Sequence, residues 1–80
     1  MNTDFAAHRR APRVVSLAPD GDGWAIRLPF AGATEYRADY RTAVLDAAFV
    51  CRGLEARPDP CCAAAADIRA CLDDPEPWAA

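Results

Sequence analysis

The chain is 80 residues long, with nine arginines, no lysine and twelve carboxylates, for a net charge of −3. That length allows one small domain, and no apolar run approaches the roughly 18 residues a membrane span needs. The charge is uneven: Arg9, Arg10 and Arg13 against Asp4 give residues 1–13 a net +2, while six arginines against eleven carboxylates leave the remainder at −5. An acidic body of this kind repels nucleic acid and attracts basic protein surfaces, so direct nucleic-acid binding is disfavoured.

Residues 1–12 read as a flexible arm closed by Pro12. The opening "MNTDFAAHRRAP" lacks the apolar h-region of a signal peptide, so a cytoplasmic setting with reduced thiols is expected. Arginine used to the exclusion of lysine, with abundant alanine, suggests GC-rich bacterial or phage DNA. From Arg13 to Ala18, "RVVSLA" alternates with Val15 and Leu17 on one face. "PDGDG" (19–23) is the strongest turn signal, because glycine reaches positive φ without steric cost. "WAIRL" (24–28) then places Trp24, Ile26 and Leu28 inward and Ala25 and Arg27 outward. The two runs predict an antiparallel hairpin over 13–28. A second turn at "PFAG" (29–32) leads into a weaker strand, "ATEYRA" (33–38).

Asp39 fits an N-cap and predicts a helix over 40–53, with Gly53 near its stop. Val44, Leu45, Ala47, Ala48, Phe49, Val50 and Cys51 nearly encircle this helix, so more than one neighbour must cover it. Leu45 and Phe49 are expected in the core. A second helix over 60–73 supplies further cover, with Asp59 as N-cap, Pro60 at the first helical position and alanines following. Its stripe is Cys61, Ala64, Ala65, Ile68, Cys71 and Leu72. Pro75 and Pro77 then predict an extended tail over 75–80. The expected fold is α+β, a small antiparallel three-stranded sheet packed by two helices (β-β-β-α-α), with 13–74 as the single domain.

Three of the four cysteines lie in "ARPDPCCAAAADIRACLDD" (56–74). Cys61 and Cys71 on one helix would stand about 15 Å apart, whereas a disulfide needs Cα atoms about 4.4–6.8 Å apart. There is no CxxC pair, and the one histidine, His8, lies in the arm, so neither zinc nor a thioredoxin-like centre is expected. The thiols read as small apolar packing groups. A Cys51 disulfide to Cys61 or Cys62 stays open if the two helices form an antiparallel hairpin.

Catalysis needs convergent groups, and the sequence offers none. Ser16 has no evident base, His8 lacks a metal-binding context, and "DGDG" lacks the later ligands of a calcium loop. The expectation is a non-enzyme with no cofactor and no metal. What remains is carboxylate: Asp20 and Asp22 at the hairpin tip, Glu35 and Asp39 around the third strand, and Asp73, Asp74 and Glu76 toward the C-terminus. Asp73 and Asp74 sit at a helix C-terminus, where the macrodipole disfavours negative charge, which marks them for partner contact. Trp78 either anchors a partner or packs back on the core. These eight residues are the candidate partner-binding set. The small core suits a monomer, or a homodimer whose second subunit completes it.

Residues 20–49, "DGDGWAIRLPFAGATEYRADYRTAVLDAAF", are similar to the HicB-like antitoxin fold, with Gly23, Trp24, Ile26, Pro29, Gly32 and Ala43 following its pattern. That resemblance implies a strand–strand–strand–helix layout and, as an alternative function, a regulatory module that neutralises a toxin. The chain as a whole resembles phage-encoded anti-CRISPR proteins in kind: very small, acidic, and without catalytic groups. That resemblance implies an inhibitor that occludes a basic nucleic-acid-binding effector, with a type I CRISPR surveillance complex (Cascade) as the expected partner.

Overall fold

The computed structural model describes residues 13–79, so the arm expected over 1–12, His8 included, lies outside the described residues. Strands β1 (Val14–Asp20) and β2 (Gly23–Leu28) form the expected hairpin, with Asp20 facing Gly23 across a two-residue turn. Gly21 has φ 60, as the first central residue of a type II′ turn requires. Gly23 is glycine for a different reason: a Cβ there would lie 2.5 Å from the Arg37 carbonyl oxygen. After a 3₁₀ turn at Pro29–Ala31, β3 (Ala33–Arg37) runs antiparallel to β2, pairing Leu28 with Ala33 and Trp24 with Arg37.

Helix α1 (Tyr40–Leu54) begins where the sequence predicts, with the Asp39 carboxylate accepting the Thr42 N–H at 3.0 Å. It runs past Gly53. The cap is Glu55, in the left-handed region at φ 54 and ψ 43, and the Ala56 N–H closes the turn on the Cys51 carbonyl at 2.9 Å.

The sheet has a fourth strand, and it makes the sheet mixed where a purely antiparallel one was expected. β4 (Arg57–Pro58) lies parallel to β1, and the strand order is β3-β2-β1-β4. Arg57 N–H donates to the Arg13 carbonyl at 3.0 Å and Asp59 N–H to that of Val15 at 2.8 Å. A parallel ladder takes its donors from alternate residues, so Pro58, between them, gives up nothing by lacking an N–H.

The second helix starts later than expected. Helix α2 covers Ala65–Asp73, and residues 59–64 form turns. The Asp59 carboxylate accepts the Cys61 N–H at 2.9 Å and the Asp59 carbonyl accepts the Cys62 N–H at 3.0 Å. Aspartate here caps a local turn, an alternative it offers as readily as a helix start. Cys61 is therefore exposed and off the apolar stripe, while Ala64, Ala65, Ile68 and Cys71 are buried as expected.

The tail is also not extended. Helix α3 (Glu76–Ala79) starts on the Pro75 carbonyl, which accepts the N–H groups of Trp78 and Ala79 at 3.0 Å. Pro77 is tolerated because the first helical turn needs no internal donors. Counting α3, the described residues hold three α-helices where two were expected.

The two long helices run in the same sense. Tyr40 in the first turn of α1 bonds Asp67 in the first turn of α2, and Arg52 in the last turn of α1 reaches the Leu72 carbonyl in the last turn of α2. β4 is the reason, since it carries the chain back along β1 before α2 begins. The core is Val15, Leu17, Ile26, Leu28, Val44, Ala47, Ala48, Cys51, Ile68 and Cys71 with their neighbours. Phe49 is not in it: the side expected to be covered faces solvent, and the residue is 72% exposed. Leu45 is half-buried at the core's margin, and so is Trp78.

Candidate protein-binding surface

Among the described residues, arginine and carboxylate are used in different ways. Arg13 donates to the Leu54 carbonyl at 2.9 Å, Arg52 to that of Leu72 at 3.1 Å, and Arg41 to those of Pro77 and Trp78 at 2.7 and 2.8 Å. Two of these targets lie at helix C-termini, where unsatisfied carbonyls and the macrodipole favour a cation. Only Arg37 pairs with carboxylates, reaching Asp46 at 2.6 Å and Glu35 at 2.9 Å. Those two bonds, Asp46 foremost, raise the guanidinium further above its already high pKa.

This allocation sorts the eight candidate residues. Asp39 is absorbed by its cap, where Thr42 donates from both its N–H and its hydroxyl. The backbone bond, then the hydroxyl, hold the Asp39 carboxyl below its ordinary range. Glu35 is tied to Arg37. Trp78 is half-buried against the core, with its carbonyl held by Arg41. Asp20, Asp22, Asp73, Asp74 and Glu76 are exposed, and among the described residues they take no salt bridge.

The five do not gather into one patch. Asp20 and Asp22 project from the β1–β2 turn, beside Asp39, because Gly23 packs against Arg37 and Ala38. Asp73 ends α2 near Arg52, toward the far end of α1, whereas Asp74 and Glu76 line a shallow concavity of about 550 Å³ with Pro77 and Ala79, on the segment whose Pro77 and Trp78 carbonyls Arg41 holds from the first turn of α1. The exposed carboxylates are thus spread along the length of α1 and are not gathered at one end of it. Glu55, an exposed carboxylate at the α1 cap, was not among the candidates. Neither was Tyr36, 63% exposed on β3, which the alternation of "ATEYR" places on the face opposite Glu35 and Arg37.

Burial, first of all, pushes the Cys51 and Cys71 thiols above their usual pKa, and all four cysteines are free. Cys62, not Cys61, is the one that packs toward the core holding Cys51. Among the described residues no three metal-ligating side chains gather, and no helix is long and apolar enough to cross a membrane. An apolar recess of about 240 Å³ between Trp24, Tyr40, Ala63 and Ala64 falls below the roughly 300–1,000 Å³ of small-molecule sites.

No protein-family model matches this chain, and no match was found among curated proteins or solved structures.

Proposed function

We propose that this protein acts by binding, as a small anti-CRISPR-type inhibitor that sets exposed carboxylates against a basic nucleic-acid channel of Cascade and so occludes DNA. The observation that supports this reading is the division of charge described above. Arg13, Arg41 and Arg52 are turned onto backbone carbonyls and Arg37 onto Asp46 and Glu35, which leaves Asp20, Asp22, Asp73, Asp74 and Glu76 exposed without a salt bridge among the described residues. Carboxylates displayed in this way attract channels lined with arginine and lysine, and the attraction acts mainly on association rate.

The test is binding of the purified protein to Cascade, free and DNA-loaded, over a range of salt. Occlusion requires that prebound DNA block the protein and that affinity fall with ionic strength, because exposed attractions are screened over about 8–10 Å near physiological salt. Reversing Asp20 and Asp22, or Asp73, Asp74 and Glu76, to arginine identifies which set makes the contact. Equal binding to the DNA-loaded complex rules out occlusion.

A second reading is a HicB-like module that neutralises a toxin. The order β1, β2, β3, α1 over residues 14–54 favours it, and it predicts a stable complex with a coexpressed small toxin in place of Cascade.

A further inference from the structure

The two edges of the sheet differ. β4 is two residues long and contains Pro58, which blunts that edge, whereas β3 is five residues long, uninterrupted in its register with β2, and exposed at every position except Arg37. Among the described residues no other strand covers β3 on its outer side. An open edge of this kind pairs readily with another strand.

The residues of β3 are complementary to themselves in one register. Consider two β3 strands paired antiparallel about a two-fold axis through Tyr36. Each Glu35 then stands opposite Arg37 of the second copy, so the pair forms twice, and the two Tyr36 rings meet on the face away from α1. Directly opposed Cβ atoms lie about 4.5–5.5 Å apart, close enough for both contacts. Moving the axis one residue either way sets Glu35 against Glu35 or Arg37 against Arg37, which is repulsive. Arg37 is held within its own chain by Asp46 at 2.6 Å and by Glu35 at 2.9 Å, so the dimer exchanges the Glu35 contact within one chain for the equivalent contact between two, while Asp46 keeps Arg37 ordered. Tyr36, at 63% exposure, is the second most exposed large hydrophobic side chain among the described residues and lies at the centre of this register.

We propose that β3 is a homodimerisation edge, through which two copies of this chain join their four-stranded sheets into one continuous sheet centred on Tyr36. None of Asp20, Asp22, Asp73, Asp74 and Glu76 lies on β3, so the dimer and the inhibitor reading stand or fall separately. A contact of one strand pair buries less than the roughly 1,200–2,000 Å² of a standard interface, so the dimer is expected to be weak and reversible.

Sedimentation equilibrium of the full chain, from micromolar to millimolar, tests the proposal. The expected result is a reversible monomer–dimer equilibrium, weakened at least about tenfold by Glu35→Arg or by Arg37→Glu alone. An equimolar mixture of the two variants should dimerise again, because each copy then carries a single sign of charge at both positions. Arg37→Glu also faces Asp46, so its fold is checked by circular dichroism. If it does not fold, Glu35→Arg, whose native side chain is 56% exposed, carries the test together with photo-oxidative dityrosine cross-linking of the native protein. A Tyr36–Tyr36 cross-linked peptide is expected. A monomer at every concentration, a dimer indifferent to Glu35→Arg, or a dimer without that cross-link overturns the proposal.

Discussion

The Tyr40 hydroxyl donates to Asp67 Oδ2 at 2.5 Å, and the Tyr40 ring rests tilted on Trp24 with centroids 4.7 Å apart. One side chain therefore ties β2, α1 and α2 together at the end of the molecule where both long helices begin. Burial first, and then the bond to Asp67, push the Tyr40 phenol from 10.0 up to about 12.

This shift sets an alkaline limit. A phenol whose pKa is raised on folding contributes stability that is fully present below its unfolded value, near 10, and lost as pH rises toward 12. Melting temperature should therefore fall above about pH 10. The buried thiols add to the fall, so the Tyr40→Phe variant isolates the tyrosine part. It should cost about 1 kcal/mol at neutral pH and show a shallower alkaline decline. Parallel pH profiles for the two proteins would mean that the phenol does not carry the effect.

Gly23→Ala should be strongly destabilising although the residue lies in a strand. The added Cβ meets the Arg37 carbonyl oxygen at 2.5 Å, and that atom belongs to the backbone of the paired strand. The β2–β3 ladder must shift to make room, at a cost of about 1–3 kcal/mol. Denaturant unfolding measures this directly, and an unchanged midpoint would show that the strands do not approach so closely.

The end of α1 should respond in the opposite direction. Gly53 lies inside the helix with open space around it, so Gly53→Ala should add about 1 kcal/mol. Glu55 holds φ 54 without being glycine, and Glu55→Gly should relieve about 1 kcal/mol of left-handed strain. Each gain corresponds to a rise in melting temperature of about 4–8 °C for a domain of this size. A fall with Gly53→Ala would place the helix end before residue 53.

Ile68 and Phe49 test where the core stops. Ile68 is fully buried and Phe49 is 72% exposed. Ile68→Ala should cost about 2–5 kcal/mol, whereas Phe49→Ala should change stability by less than about 0.5 kcal/mol. Comparable losses for both would mean that Phe49 is covered in solution, by a second copy or another partner.

Local chemistry makes part of this protein legible in its sequence. The alternation around "PDGDG" specifies β1 and β2, and Asp39 specifies the first turn of α1, because each signal is satisfied within a few residues of itself. The stripe of Ala65, Ile68 and Cys71 likewise follows from helical period alone. The remainder depends on neighbours distant in sequence. β4 is two residues with a proline and has no period to read; it exists because the free edge of β1 offers the Arg13 and Val15 carbonyls to Arg57 and Asp59. Once β4 redirects the chain, α2 runs alongside α1 in the same sense, and Asp59 closes a turn in place of starting a helix. Composition shows an excess of carboxylate, but tertiary structure alone decides which carboxylates stay exposed. Arginine side chains are long enough to reach helix ends 20 to 41 residues away in sequence, and where they land depends on packing that no local pattern encodes.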